Sequence, residues 1–345
     1  MKSIVLPDGI RAIANEAFCG CSNVTELKLP NNDVLILRDA FSGIYGITEL
    51  IIPDKWTSIG YYYEEDERFY ASDVFASCSS LRKVVIGKGV KYICDGAFSN
   101  CLNLREVVCP EDGSLEKIGE DVFQYTALTS MRFLPHTLKY MGSDIFKGCR
   151  MTEIYIPSSL EVYYGGSNHY ADDELKTLVL EDSSEPIRCW PADGWFEEVY
   201  LGRAITKYMP FNVYNNSKNI KKVTFGPYFS GGNEWQFGNG VTEIYSQVTD
   251  PSLITCTFST QVYDNATLYV PVGTKEAYAA QSNFKQFFDI REYTPDGISV
   301  ATKQGIHPVS ERYYDLNGRP INANHQKGIY IRKMSDGTTK KYLKK

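Results

Sequence analysis

No run in this 345-residue sequence approaches the ~18 consecutive apolar residues of a membrane-spanning helix. Histidine is scarce. His136, His169, His307 and His325 are the four present, and none sits in a recognisable nucleophile–base pair. There is no GxxxxGK[ST], no GxGxxG after a strand, no HExxH and no GxSxG. No CxxC occurs and no Cys/His spacing suits zinc; Cys19-Gly20-Cys21 is a CxC, so no metal and no cofactor is expected. Nine cysteines, an odd number, exclude a complete set of internal disulfides. Positive charge is in deficit: 36 Lys and Arg against 42 Asp and Glu leave a net −6. That argues against a nucleic-acid partner, which needs a basic face. The N-terminus Met1-Lys2-Ser3-Ile4-Val5-Leu6-Pro7 carries no long apolar core of a signal peptide. The chain therefore reads as cytoplasmic or as a trimmed mature form.

What is present is a packed chain, 43% hydrophobic and unusually rich in tyrosine, with 25. It is also repetitive. The motif apolar-x-x-apolar-x-apolar, often followed by Pro, appears as Val24-Thr25-Glu26-Leu27-Lys28-Leu29-Pro30, Ile47-Thr48-Glu49-Leu50-Ile51-Ile52-Pro53 and Met151-Thr152-Glu153-Ile154-Tyr155-Ile156-Pro157. Its middle apolar residues form a series: Ile4, Leu27, Leu50, Val84, Val107, Met131, Ile154, Leu178, Val199, Val223, Ile244, Leu268. The spacings are 21 to 24 residues apart from one of 34. A second series, Phe18, Phe41, Phe75, Phe98, Phe123 and Phe146, follows Ala, Val or Ile in each coil, and a third, Ile13, Ile36, Ile93, Ile118 and Met141, precedes most of these Phe by five residues. A strand of a few residues cannot bury its face alone, so the coils must stack and share one hydrophobic column. Leu27, Leu29 and their counterparts point inward, and the Phe column plugs the turn opposite. Cys21, Cys78, Cys101 and Cys149 each follow the repeat Phe by three residues. That common phase predicts one small buried niche per coil.

The stretch from Ile93 through Asp95-Gly96-Ala97-Phe98-Ser99-Asn100-Cys101 to Val107, like Ile118-Gly119-Glu120-Asp121-Val122-Phe123, resembles the BspA-type leucine-rich repeat. Clear motifs cover residues 4 to about 157 and degenerate ones continue to about 271. The resemblance implies a β-rich leucine-rich-repeat solenoid with a parallel sheet, coils of about 23 residues and short turns or helical segments between them. It implies a bacterial surface or secreted protein of adhesion or host-protein binding, with no catalytic residues to carry over. After residue 160 the Ala-Phe element is missing.

Three units are expected: a solenoid over 1–271, a cap over 272–294, and a small antiparallel β module over 295–345. Ala266–Pro271 reads as the last strand. Thr274 reads as the N-cap of a short helix over Lys275–Gln281, with Phe284, Phe287 and Phe288 behind it. In the tail, Tyr313-Tyr314-Asp315-Leu316-Asn317-Gly318-Arg319-Pro320-Ile321 reads as strand, Asn-Gly turn, strand. Gly328–Lys333 and Lys340–Leu343 flank a second hairpin signal, Ser335-Asp336-Gly337. Tyr-Asp-Leu-Asn-Gly-Arg and Gly-Ile-Tyr-Ile resemble the C-terminal β-sandwich sorting or anchoring tails of bacterial surface proteins. That resemblance implies export, and a signal peptide absent from the chain; a packing module without targeting role is the alternative.

Three places could hold a ligand. The third coil reads Ile59-Gly60, eleven extra residues, then Ser72-Asp73-Val74-Phe75; removing Tyr61–Ala71 restores the repeat. The insertion holds Tyr61, Tyr62, Tyr63, Phe69 and Tyr70 around Glu64-Glu65-Asp66-Glu67. Tyr-rich loops suit recognition, or the rings fold back on the solenoid. The second place is Tyr163-Tyr164-Gly165-Gly166-Ser167-Asn168-His169-Tyr170. The third is the outward sheet face. There Glu26, Glu49, Lys83, Glu106, Glu153, Glu198, Lys222 and Glu243 flank a row that includes Ile51, Val85, Val108, Arg132, Tyr155, Val179, Tyr200, Tyr245 and Tyr269. Trp190, Trp195 and Trp235 are expected to fill space left by the missing Phe. The functional expectation is a monomeric, non-catalytic binding or adhesion protein. Its partner is a host or neighbouring-cell protein or glycan. The alternatives are a structural spacer solenoid at the envelope, or a carbohydrate-active enzyme using carboxylates near 163–170.

Overall fold

The computed structural model describes residues 1–63, 65, 68–70, 72–165, 175–189, 196–206, 219–233 and 235–295, and beyond them the backbone of three strands. The chain winds into a solenoid whose short strands pair in parallel between successive coils. Ile4 faces Leu27, Leu50 faces Val84 and Val84 faces Val107. A seven-stranded sheet then carries Ile154, Leu178, Val199, Val223, Ile244 and Leu268 in one register. Met131 keeps its place in the column, fully buried, but lies in no strand. The hydrophobic spine is one continuous cluster from Ile4 to Phe287.

The Phe series forms a stack. Rings of Phe18, Phe41, Phe75, Phe98, Phe123 and Phe146 follow one another at centroid distances of 5.2–5.8 Å, nearly parallel. Translation by one coil imposes this geometry, since equivalent side chains arrive in the same orientation one rung apart. The residue before each Ala-Phe unit is left-handed: Glu16, Asp39, Asp73, Asp121 and Asp144 have φ between 36° and 58°, and Gly96 has 65°. Acidic residues and glycine fill it because short polar side chains and Gly visit that region at least cost. The cysteine niche exists: Cys78, Cys101 and Cys149 are buried, and each thiol lies against the Phe carbonyl of the preceding coil at 3.1–3.5 Å. Cys21, in the first coil, is half-buried, a correction with a plain cause: no earlier coil covers it. Two coils lack the Cys: Ile44, buried, holds the position in one, and Thr126 in the other meets the Cys149 thiol at 3.2 Å.

The third series builds a second parallel sheet. Ile59, Ile93, Ile118, Met141, Tyr163 and Cys189 sit in register across six two-residue strands. Alternation along each strand turns the residues just before them outward: Ser58, Tyr92, Lys117, Tyr140, Val162 and Arg188.

Beyond residue 160 the core is rebuilt. Strands lengthen to six residues at Glu198–Arg203 and seven at Lys222–Tyr228. Phe225, Phe229, Phe237 and Phe258 fill the interior in mixed geometry, with Phe225 and Phe237 edge to face. Trp235 is buried there against Phe229, as expected; Trp190 and Trp195 lie outside the described residues. Arg203 is buried, and its guanidinium donates to the carbonyls of Pro157, Ser158 and Leu160 at 2.8–2.9 Å.

The end of the solenoid departs from expectation in two ways. Thr267–Pro271 is not the last rung: Asp289–Tyr293 adds another, with Ile290 opposite Leu268. The helix Lys275–Ala280 forms, but Thr274 does not cap it through its side chain, since its hydroxyl donates to the Pro271 carbonyl. Glu292 instead accepts from the Gly273 and Lys275 N–H groups, where the positive end of the helix favours a carboxylate. Tyr278 pins the helix to the core through Ser246 and the Val248 carbonyl. In the tail, Gly328–Lys333 pairs antiparallel with Thr339–Lys344, so the second hairpin signal is realised, and Arg312–Tyr314 pairs with Gly328–Lys333. The Asn317-Gly318 turn lies outside the described residues.

Candidate functional site

The insertion is a β-hairpin. Tyr62–Tyr63 pairs antiparallel with Arg68–Phe69, and the Tyr70 N–H donates to the Tyr61 carbonyl at 3.1 Å. Gly60 launches it at φ +102°, and a Cβ there would sit 2.4 Å from the Ser72 hydroxyl. The two ends of the insertion are thus already in contact, which is why the repeat resumes at Ser72.

Period-2 alternation divides its aromatics between two faces. Tyr62 and Phe69 turn inward, onto the outward row of the second sheet. Tyr62 packs on Tyr92 at 4.0 Å and on Phe69 at 5.1 Å; Phe69 reaches Tyr140 at 5.7 Å. Lys117 donates to the Tyr62 hydroxyl at 2.7 Å and lies 5.2 Å from its ring centroid. One hairpin from the third coil is therefore strapped across the next three. On the opposite face Tyr61 stacks on Tyr70 at 5.3 Å and meets Tyr63 at 6.3 Å. Tyr70 is 45% exposed, and the Tyr63 hydroxyl donates to Glu65 at 2.9 Å. Of the two expectations for the insertion, folding back on the solenoid holds for Tyr62 and Phe69, whereas Tyr61, Tyr63 and Tyr70 lie on the other face.

The second aromatic segment splits as well. Tyr163 is 2% exposed and takes the place of the Ile93 series in the core, so it offers no ring to a ligand. Tyr164 is exposed and meets Tyr140 edge to face at 5.8 Å. Tyr170 and His169 lie outside the described residues, as do most of the carboxylates near 163–170. Tyr140 therefore joins the two segments into one strip: Tyr92, Tyr62, Phe69, Tyr140, Tyr164. Burial, then the neighbouring Tyr164, Glu120 and Asp95, push the Tyr140 hydroxyl up to about 12. Tyr92, Lys117 and Tyr140 were missed by sequence reasoning. Their signal is positional: each stands one residue before Ile93, Ile118 or Met141, so each faces outward beside the insertion.

Acidic groups crowd the base of the hairpin. Burial, then Asp39, raises the Asp73 carboxyl; burial, and repulsion from Glu120, Asp121 and Asp73, raises Asp95. Among the described residues no group of three or more His, Cys, Asp or Glu could hold a metal ion.

The outward face of the first sheet is less open than its pattern suggests. Ile51 is 64% exposed, but Val179, Tyr200 and Tyr269 are buried. The tyrosines spend their polarity internally. Tyr155 donates to Glu181 and Tyr200 to Asp182, both at 2.7 Å. Tyr245 stacks on Tyr269 at 4.4 Å and meets Tyr293 edge to face. Neighbouring rungs bring such rings together and each covers the next. Tyr155, Tyr200 and Tyr245 are thus held as parts of the sheet. The charged row beside them is locally balanced, by Lys83–Glu106 at 2.9 Å, Lys222–Glu198 at 3.6 Å and the forked pair Arg132–Glu153.

A family model described as BspA type Leucine rich repeat region matches residues 1–65 and 70–188, in six copies. The break falls within the hairpin. No curated protein matches the chain. Among solved structures, the leucine rich repeat protein of T. pallidum is 29% identical over 42% of this chain, with a TM-score of 0.35; the match spans 62% of that protein. A leucine-rich repeat protein from Bacteroides ovatus is 17% identical over 85% of this chain and 84% of its own, with a TM-score of 0.43. A leucine rich cell surface protein from Faecalibacterium prausnitzii is 18% identical over 86% and 80%, at 0.37.

Proposed function

The chain belongs to the BspA-type leucine-rich-repeat family, and on that premise we propose that it is a non-catalytic binding or adhesion protein of the bacterial cell surface or medium. It recognises a host or neighbouring-cell protein or glycan through the Tyr61–Ala71 hairpin. The observation that carries this reading is the division of labour within the hairpin: Tyr62, Phe69 and Lys117 anchor one face, which leaves Tyr61, Tyr63 and Tyr70 presented on the other. Rigid aromatic groups on a braced support lose little freedom on binding. Tyr164 extends the same surface at the far end of the strip. The tail strands 312–344 serve as a sorting or anchoring module.

The test is a protein and glycan array probed with the full chain and with a variant lacking Tyr61–Ala71. Because Gly60 and Ser72 already touch, the excision leaves the coil closed. Loss of the ligands bound by the intact protein is the expected result. An unchanged ligand set in the excised variant overturns the hairpin assignment. Concentration-dependent self-association without ligand on either array supports the spacer reading instead.

A further inference from the structure

We propose that the turn ridge of the regular half carries a second binding site, in which the exposed ring of Tyr125 receives one sugar ring of a neutral glycan. The site lies outside the hairpin and stands whether or not the hairpin binds.

A strained backbone is the first ground. Two residues after each repeat Phe the chain passes through the left-handed region, at Gly20, Gly43, Ser77, Asn100, Tyr125 and Gly148, with φ between 53° and 73°. The ladder between coils imposes this, because the N–H of each such residue reaches forward to the next coil. Asn100 donates to the Gln124 carbonyl at 2.8 Å, and Tyr125 to the Lys147 carbonyl at 2.7 Å. Glycine or a short polar side chain meets that demand at least cost. Tyr125 meets it at φ 53° with a bulky ring, a combination rarely seen. Strain of this kind persists only where the surrounding structure fixes it, and it gathers at functional sites.

The second ground is where the ring lies. Tyr125 is 44% exposed, so the strain does not serve to bury it. The ring rests on Gly148 of the next coil, where a Cβ would collide with it. A backbone floor therefore holds the ring in place and leaves the rest of it open to solvent.

The neighbours of the ring point to the ligand. Asn100 is exposed one rung before it. Gln124 stands beside it, with its amide nitrogen donated to Asp121 at 2.5 Å. Lys147 on the same ridge is engaged with Asp144 at 3.8 Å. A sugar uses an aromatic ring set among amides. Its C–H hydrogens, slightly positive, lie on the negative face of the ring, and its hydroxyls reach Asn100 and Gln124. A β-linked hexose offers the flattest such face.

The experiment is native electrophoresis of the full chain through gels holding a neutral β-glucan, a β-galactan or no polysaccharide. Retardation of the parent by one of the two is expected. Tyr125→Phe keeps the ring and should keep binding within about twofold, whereas Tyr125→Asn should weaken it roughly tenfold. The Asn variant should melt at or above the parent temperature, because Asn enters the left-handed region more readily than Tyr. The variant lacking Tyr61–Ala71 should be retarded like the parent, which separates this site from the hairpin. A parent that neither polysaccharide retards overturns the proposal, as does an Asn variant retarded like the parent. A clear drop in the melting temperature of the Asn variant also overturns it, because the ring is then a structural prop. A protein-array ligand lost in the Asn variant, with no retardation by either polysaccharide, overturns the glycan. Retardation that disappears with Tyr61–Ala71 and survives in the Asn variant returns glycan binding to the hairpin.

Discussion

The coils before residue 160 and those after it solve the same problem differently. In the first half every coil contributes the same Phe at the same angle, and the rings stack like coins at 5.2–5.8 Å. In the second half the Ala-Phe unit is gone. Longer strands, edge-to-face rings and a buried Arg203 take over. The contrast shows what a repeat core requires. Either each coil supplies an identical plug, or the strands widen and irregular side chains fill the space by shape. The regular solution frees the outer surface, since its turns are short and its strands bury one face only. The hairpin is inserted into the regular half, where the next three coils offer it an even row to lie on.

The comparison can be broken most directly at Phe98. It is held between Phe75 and Phe123, so Phe98→Ala should cost about 3–5 kcal/mol by chemical denaturation. A cost below about 1 kcal/mol would mean that the stack is not the source of order in the regular half. Arg203→Ala tests the irregular half. It removes the donor that three carbonyls share at 2.8–2.9 Å, and about 2–4 kcal/mol should be lost for leaving them buried without it. Full stability in that variant would show that shape alone holds those coils together.

The smallest effect sharpens the electrostatic side. The Asp73 carboxyl is raised by burial and by Asp39, so the native state holds its proton more tightly than the unfolded chain does. Stability at this site is then greatest below the ordinary Asp range near ~4 and falls as pH rises through the native value. Asp73→Asn keeps a residue that tolerates the left-handed φ of 36° and removes the charge. The melting temperature at neutral pH should rise by about 1 °C, and the gain should vanish in acid. An equal gain at both pH values would point to the backbone instead.

The legible part of this chain was whatever repeats. The period set the solenoid and its register, and the common phase of Cys78, Cys101 and Cys149 announced their burial. The second sheet was half visible, as a series of Ile positions without an assigned role. The candidate site was harder to read. The insertion stood out because it interrupts a period, but its aromatics carried no label for inside or outside. Tyr163 looked like part of a binding segment and is core. Tyr92 and Tyr140 were not singled out at all and are the floor under the hairpin. Tyr200 looked outward and is buried with its hydroxyl on Asp182.

By itself the sequence determined the rod, because a period of about 23 residues leaves one way to bury every short strand: against its copy in the next coil. Only the tertiary structure decided which tyrosines stay at the surface and which are buried. That choice depends on where an insertion from one coil lands on the three that follow it. Contacts such as Lys117 with Tyr62, 55 residues apart, have no counterpart in any local pattern.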